Sequence, residues 1–204
     1  MGGALLRDQK GNLWIATSDG GLTVFEGIQF IHYTVANGFI NDSISSLYED
    51  NLGNIWIGTS AGVTRFDGEV FTHYTESEGL NGTRVVAIHQ DRDGVMWFGT
   101  SNSGLNRFDG SEFTYLTIEN GLPDTGVRAI EEDQDGNLWL GTWAGVAQYN
   151  GTSLTVYSES DGLTDSILSD IYLDKKGNMW FATFFDGLIT YDGEPLRRLP
   201  KKTG

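Results

Sequence analysis

The chain contains no cysteine, only three prolines, and no apolar stretch long enough to cross a membrane. The absence of cysteine excludes disulfide bonds and thiolate metal sites, but it leaves the cytoplasm, the periplasm and the cell exterior open as locations.

Basic residues are scarce too, with 13 Lys and Arg against 28 Asp and Glu. The net charge of -15 repels phosphate groups and anionic lipid, so we predict no nucleic-acid partner and no membrane contact. The first residues lack an apolar signal core, which predicts no signal peptide in this chain.

Glycine, by contrast, is abundant, and several of the glycines belong to a sequence motif that occurs five times. The copy GNIWIGTSAGVTRF begins at Gly53, and the others begin at Gly11, Gly94, Gly136 and Gly177. Successive leading glycines are 42, 41, 42 and 41 residues apart. Within each copy, apolar and β-branched residues alternate over short stretches until Gly, Asp, Asn or Ser interrupts them. This alternation predicts an all-β repeat of four short strands.

The repeat that begins near Ser43 predicts strands at 44–50, 54–59, 63–68 and 70–75. An aspartate stands three residues before each leading glycine, where its short side chain can accept hydrogen bonds from the turn backbone. The glycine itself is expected to adopt a positive φ. We interpret these segments, DRDG and DQDG among them, as hairpin turns rather than calcium loops. The aspartates are Asp8, Asp50, Asp91, Asp133 and Asp174.

A tryptophan occupies one register of the second strand in every repeat, and alanine or glycine follows two positions later. The five tryptophans are Trp14, Trp56, Trp97, Trp139 and Trp180. A large ring at this register is expected to fill the gap between adjacent sheets, and the small residue leaves room for a neighbouring ring. A ladder of aromatic rings that binds a ligand is the alternative interpretation.

Four-stranded sheets that repeat at this length and pack face to face form a β-propeller. We predict a single five-bladed propeller domain over residues 1–204, with four antiparallel strands per blade. The predicted blades are 4–34, 43–75, 84–117, 127–158 and 167–199. In this scheme no strand is exchanged between the first and last blades, so ring closure is expected to depend on side-chain packing alone.

The pattern G-N-L-W-I-G-T-x-x-G-L-x-R-F-D-G, followed by F-T-H-Y-T and G-L, resembles the two-component regulator propeller repeat. The resemblance covers 4–199, is strongest at 53–75 and 94–117, and is weakest at 193–204. In that family such repeats form extracytoplasmic sensor regions of bacterial histidine-kinase systems. The resemblance therefore implies ligand binding, signal transduction and a periplasmic or extracellular location. Because the family usually carries more repeats, a propeller fragment or an oligomer completed by another chain remains open.

The loop between the second and third strands breaks the repeat. After the threonine of strand two, the first three repeats have serine, whereas the last two have Trp143 and Phe184. Phe184 is followed by Phe185 and Asp186. In related propellers this loop lies on the upper face, around the central channel. Aromatic rings beside a carboxylate suit a carbohydrate, another small molecule or a protein. We predict a ligand site here, and packing between blades is the alternative.

Arg84 and Arg128 stand at or near the start of their first strands, where other repeats have Ser, Gly, Val or Ile. From there they can reach the mouth of the channel and hold a carboxylate or sulfate group. Pairing with neighbouring Glu or Asp is the simpler alternative. We include both arginines in the predicted ligand site.

Residues suited to catalysis are few. His32 and His73 share one slot of successive repeats and are framework residues, and His89 replaces Tyr48 and Tyr172 at another slot. Streptogramin lyases have a similar propeller and use His and Glu with a metal, but the loops of this chain hold no matching pair. We therefore predict no enzyme activity, no catalytic residue, no metal and no cofactor.

The leading hypothesis is a non-catalytic sensing propeller that binds a small molecule, such as a carbohydrate, or a protein on its upper face. The alternative is a structural scaffold or propeller fragment that associates with other copies of itself. A lyase-like enzyme is a minor alternative.

Overall fold

A computed structural model describes residues 3–163, 167–185, 187–193 and 196–198. The described chain forms five sheets of four antiparallel strands, and each sheet is one blade, numbered in chain order. Within each blade, the strands are hydrogen-bonded in sequence order from the first to the fourth. The predicted fold class, an all-β propeller of five four-stranded blades, is confirmed.

The strands agree with the predicted pattern to within one or two residues at each end. Blade 1 consists of β1 (Ala4–Arg7), β2 (Leu13–Ala16), β3 (Leu22–Phe25) and β4 (Phe30–Tyr33). Blade 2 consists of β5 (Ile44–Glu49), β6 (Ile55–Thr59), β7 (Gly62–Phe66) and β8 (Phe71–Tyr74). Blade 3 consists of β9 (Val85–Gln90), β10 (Met96–Thr100), β11 (Leu105–Phe108) and β12 (Phe113–Leu116). Blade 4 consists of β13 (Val127–Glu132), β14 (Leu138–Thr142), β15 (Gly145–Tyr149) and β16 (Leu154–Tyr157). Blade 5 consists of β17 (Leu168–Leu173), β18 (Met179–Thr183), β19 (Leu188–Tyr191) and β20 (Arg197–Arg198).

A short 3-10 turn follows the fourth strand of blades 1 to 4, and it was not predicted. The turns are Val35–Asn37, Glu76–Glu78, Ile118–Asn120 and Glu159–Asp161. Each begins after a threonine or serine and ends in Asn, Glu or Asp, which forms a reciprocal capping box. In the second turn, for example, the Glu78 carboxylate accepts the backbone N–H of Thr75 at 2.8 Å. No helix among the described residues is long and apolar enough to span a membrane.

The chain divides into two compact units. The first contains the described residues up to Thr100 together with Asn106–Tyr115, which are blades 1 and 2 and most of blade 3. The second contains Ser101–Leu105 and the described residues from Leu116 onward, which include blades 4 and 5. Each unit has a hydrophobic core of its own.

The two faces of a blade have different roles in these cores. We call the face that carries the second-strand tryptophan the Trp face. The opposite face carries the residues directly before and after that tryptophan, and we call it the flank face. In the first unit, the Trp face of blade 1 packs against Ile55 and Ile57 on the flank face of blade 2. In the second unit, the Trp139 ring lies 5.4 Å from the Phe181 ring of blade 5. The prediction that the tryptophans fill the space between adjacent sheets is confirmed for Trp14, Trp56 and Trp139, whereas Trp180 of blade 5 is only partly buried.

The turn aspartates are hairpin residues, as predicted, and they also hold the tryptophans. In blade 2, the Asp50 carboxylate accepts the backbone N–H and the side-chain amide of Asn54 and, at 2.8 Å, the Nε1–H of Trp56. The leading glycine, Gly53, has a φ of +80°, a conformation that glycine adopts without strain. The same bond to the tryptophan Nε1–H recurs in all five blades. Each hairpin turn is therefore hydrogen-bonded to the tryptophan of its own blade.

His89 occupies the slot predicted from the repeat, opposite Trp97 in the pairing of β9 and β10. Its ring lies 6.1 Å from the Tyr48 ring, and its Nε2 has no hydrogen-bond partner among the described residues. Burial lowers the pKa of His89 to about 4, against a small opposing effect of the Asp91 charge. The imidazole is therefore neutral in the folded chain at neutral pH.

The variant His89→Tyr, with the residue of blades 2 and 5 at this slot, is expected to remove a pH-dependent loss of stability. The unfolded histidine binds a proton near pH 6.5, whereas the folded one stays neutral down to about pH 4. Protonation therefore favours the unfolded chain in this interval, by about 2 kcal/mol between pH 7 and pH 5. Urea unfolding at both pH values measures the difference between wild type and variant. An equal loss of stability in both proteins would contradict a buried neutral imidazole.

Candidate ligand-binding site

Trp143 lies in the two-residue turn between β14 and β15. Thr142 holds this turn, because its Oγ1 donates to the carbonyl of Gly145 at 2.8 Å and accepts the N–H of Ala144 at 3.1 Å. The Trp143 side chain is 40% exposed. A tight, hydrogen-bonded turn thus presents a large aromatic ring to solvent.

Phe184 and Phe185 lie in the longer loop between β18 and β19. The N–H and the Oγ1 of Thr183 both donate to the carbonyl of Gly187, which closes the loop at its base. The N–H of Phe184 donates to the carbonyl of Ile167 at 3.1 Å and ties the loop to the start of blade 5. Phe184 is 49% exposed and Phe185 is 75% exposed. Asp186, the carboxylate of the predicted site, lies outside the described residues.

The three aromatic side chains lie together within the second unit. The rings of Trp143 and Phe184 are nearly parallel, with an interplanar angle of 22° and centroids 6.0 Å apart. The Phe185 ring lies 6.3 Å from Phe184. We call these three side chains, together with Arg128, the aromatic surface. The break in the repeat therefore corresponds to one continuous patch of exposed rings.

Arg128 joins this patch because of a β-bulge. The pairing of β13 with β14 shifts register between Val127 and Ala129, which leaves Arg128 as the extra residue. At the equivalent bulges of blades 2 and 5, Ser45 and Ser169 donate their hydroxyls to backbone carbonyls. Blade 4 thus has a long cation where two other blades have a short hydroxyl.

The guanidinium group of Arg128 lies over the aromatic rings. Its Cζ is 4.4 Å from the centroid of Trp143 and 5.7 Å from that of Phe184. Both distances lie within the range of cation–π attraction, which contributes about 0.5–2 kcal/mol. This contact was not predicted, since the arginine was expected to reach a channel mouth or to pair with acidic residues. The structure instead brings a positive charge onto the predicted aromatic cluster.

Gly126 supports the aromatic surface and was not predicted as part of the site. A Cβ at this position would stand 2.7 Å from Nε1 of Trp143 and 2.9 Å from the carbonyl oxygen of Ser101, so only glycine leaves room for the indole. The N–H of Gly126 donates to the Asp124 carboxylate at 2.7 Å. The sequence does hold a signal, because glycine directly precedes the first strand in blade 4, where blade 2 has Ser43.

Arg84 lies in the first unit and is exposed, directly before β9. By repeat register it corresponds to Gly126, whereas Arg128 is the second residue of its strand. The two arginines therefore do not occupy equivalent positions. A ligand role for Arg84 remains a prediction.

The other histidines have structural bonds. Nδ1 of His32 lies 2.9 Å from Oγ1 of Thr23, and Nδ1 of His73 lies 2.9 Å from Oγ1 of Thr64. The repetition of this pair in successive blades agrees with a framework role. Within the described ranges, no group of three or more His, Asp or Glu side chains could hold a metal ion.

Comparisons with known proteins agree with this architecture. Four segments, 38–61, 79–102, 121–144 and 161–185, match the family model described as two component regulator propeller. The extracellular domain of the putative hybrid two-component system BT3049 from B. thetaiotaomicron is 25% identical, with a TM-score of 0.84 over 98% of this chain. That of BT4673 from the same organism is 23% identical, with a TM-score of 0.83 over 96% of this chain. No curated protein matches the sequence.

This chain covers only 28% and 30% of those two extracellular domains. Virginiamycin B lyase from Staphylococcus aureus is also similar in fold, with a TM-score of 0.79 over 98% of this chain and 70% of the lyase. Its identity of 15% shows a shared propeller fold and no more. Four segments of this chain therefore match the two-component regulator propeller repeat, and the chain resembles the extracellular propeller of hybrid two-component systems.

Proposed function

We propose that this chain is a non-catalytic sensing module that binds a small molecule on the aromatic surface. The observation that carries the proposal is the Arg128 guanidinium, 4.4 Å above the exposed ring of Trp143, which is itself stacked with the exposed ring of Phe184. Large apolar side chains that are grouped and exposed on a rigid scaffold are typical of binding surfaces.

The chemistry of this surface favours an acidic carbohydrate. The C–H face of a sugar ring packs well on a flat indole, and the sugar hydroxyl groups stay in water at such an open site. The charge of Arg128 attracts a carboxylate or sulfate group carried by the same ligand. A ligand with both features would contact Trp143 and Arg128 together.

Binding would depend on a preformed surface and would involve no reaction of the ligand. The Thr142 and Thr183 hydrogen bonds fix the two loops, and the bulge fixes the backbone at Arg128. A rigid site loses little conformational entropy on binding. We infer an extracytoplasmic location from the extracellular domains that the chain resembles, with the signalling output carried by other domains.

Calorimetry with tetragalacturonate and with neutral cellotetraose tests the proposal. Trp143→Ser, the residue found at this loop position in blades 1 to 3, is expected to weaken binding of the acidic tetramer at least about tenfold. Arg128→Ser, the residue at the bulges of blades 2 and 5, is expected to remove the preference for the acidic over the neutral tetramer. Ser60→Ala, at the same loop position of blade 2, is the matched control and should change neither affinity.

Three outcomes would contradict the proposal. Wild type that binds neither tetramer would refute the carbohydrate assignment. Unchanged affinity in Trp143→Ser would place the ligand elsewhere. A large fall in the melting temperature of that variant would show that the ring is packing between blades 4 and 5.

A further inference from the structure

The Trp face of blade 5 is exposed, although its residues are of the core type. The tryptophans of blades 1 to 4 at this register are at most 5% exposed, but Trp180 is only partly buried. Leu188 is 43% exposed, whereas Leu22, Val63 and Val146 at the same register are fully buried. Tyr172, which pairs with Trp180, is 59% exposed. In the part of the chain that the structure describes, the interblade surface of blade 5 is thus exposed.

A hollow of about 260 Å³ lies on this face. Its lining residues are Asp170, Ile171, Tyr172, Trp180, Ala182 and Leu188. On the Trp face of blade 4, the Phe181 ring of blade 5 lies 5.4 Å from Trp139 and is fully buried there. By repeat equivalence, the hollow beside Trp180 has the position and the apolar lining to receive a side chain from another flank face.

The flank face of blade 1 is exposed in the same way. Leu13 and Ile15, which flank Trp14, are partly exposed, whereas both flanking residues are buried in blades 2 to 5. Leu5, which pairs with Ile15, is 68% exposed, but Ile171 at the same register of blade 5 is 5% exposed. Among the described residues, the Trp face of blade 5 and the flank face of blade 1 are therefore both exposed.

We propose that these two faces bind each other between copies of this chain, with the Trp face of blade 5 in one copy against the flank face of blade 1 in another. The contacts between blades 1 and 2 in the first unit, and between blades 4 and 5 in the second, are made of these same two kinds of face. The occupant that fits each uncovered face is thus another repeat of this type, and a second copy supplies it. Such an interface joins two different surfaces, so the association is head-to-tail and not symmetric.

Light scattering after size exclusion tests the proposal, over a series of protein concentrations. Wild type is expected to show a mass that is a multiple of the 22.4 kDa chain mass. Leu188→Glu and Leu5→Glu, which each place a charge on one of the two faces, are each expected to be monomeric. Leu52→Glu, at a hairpin tip 85% exposed, is the matched control and should keep the wild-type mass.

Mixing the two monomeric variants gives the decisive result. Each retains one intact face, so an equimolar mixture is expected to form a dimer of one copy of each and nothing larger. A monomeric wild type, a mixture that stays monomeric, or loss of association in only one of the two variants would overturn the proposal. Circular dichroism verifies folding, and Leu188→Ser with Leu5→Ser repeats the test if a glutamate variant fails to fold.

Discussion

Replacement of Trp139 by alanine is expected to lower the free energy of unfolding by about 3–5 kcal/mol. The Trp139 side chain is fully buried. Its ring lies 5.3 Å from Tyr157, 5.4 Å from Phe181 and 5.0 Å from Tyr191. Alanine would lose the transfer free energy of the indole and leave a cavity that two sheets, each fixed by its own hydrogen bonds, cannot fill.

Trp180 provides a matched control at the same register of the next blade. Its Nε1–H donates to Asp174 at 3.0 Å, just as the Nε1–H of Trp139 donates to Asp133 at 2.8 Å. Both alanine variants therefore lose the same hydrogen bond, but Trp139 is fully buried whereas Trp180 is partly exposed. Trp180→Ala is expected to cost less than half as much in dilute protein. Urea unfolding followed by circular dichroism measures both, and equal losses would contradict the difference in packing.

The strands could be predicted from the sequence because each repeat alternates between two faces with different neighbours. The register of Trp56 and the turn at Asp50 follow from that alternation and from turn chemistry alone. The hydrogen bond between them was not predicted. It depends on how far the carboxylate reaches across the hairpin, which a spacing of six residues does not reveal.

The aromatic part of the candidate site was predictable for a different reason. Trp143 and Phe184 stand where earlier repeats have serine, and a departure from a repeat is visible in one sequence. The position of Arg128 was not, because it depends on a backbone bulge in β13, which the sequence VRAIEE does not indicate. The role of Gly126 was not predictable for a related reason, since it depends on the Trp143 ring, seventeen positions later in the chain.

The exposure of the Trp face of blade 5 does not follow from the repeat pattern. Trp180 and Trp139 occupy equivalent positions of the repeat, yet Trp180 is partly exposed and Trp139 is fully buried. Burial of an interblade residue is a property of the neighbouring blade and not of its own strand. The sequence pattern therefore predicts which residues form interblade contacts, but not which of those contacts are made.

The second large effect is expected at Asp133, whose carboxylate organises the turn between β13 and β14. It accepts the backbone N–H of Asn137 at 2.8 Å, its side-chain amide at 2.9 Å, and the Nε1–H of Trp139 at 2.8 Å. Alanine would leave the indole N–H buried without its acceptor, at a cost of about 3 kcal/mol together with the lost turn bonds. Asp133→Asn keeps one carbonyl acceptor of the same size and is expected to cost about half as much. A loss below about 1 kcal/mol in the alanine variant would contradict this role.

The stabilisation by the Asp133 carboxylate is expected to decrease at low pH. Burial raises the pKa of Asp133, but the hydrogen bonds from Asn137 and Trp139 outweigh it and hold the pKa below its ordinary value. An unfolded aspartate takes up its proton near pH 3.9, before the folded one does. The stabilisation by the charged carboxylate is thus complete above about pH 4 and declines as the pH falls through the folded pKa. The stability difference between wild type and Asp133→Asn, measured by urea unfolding, should shrink below pH 4, and a constant difference would show that the charge of Asp133 contributes nothing.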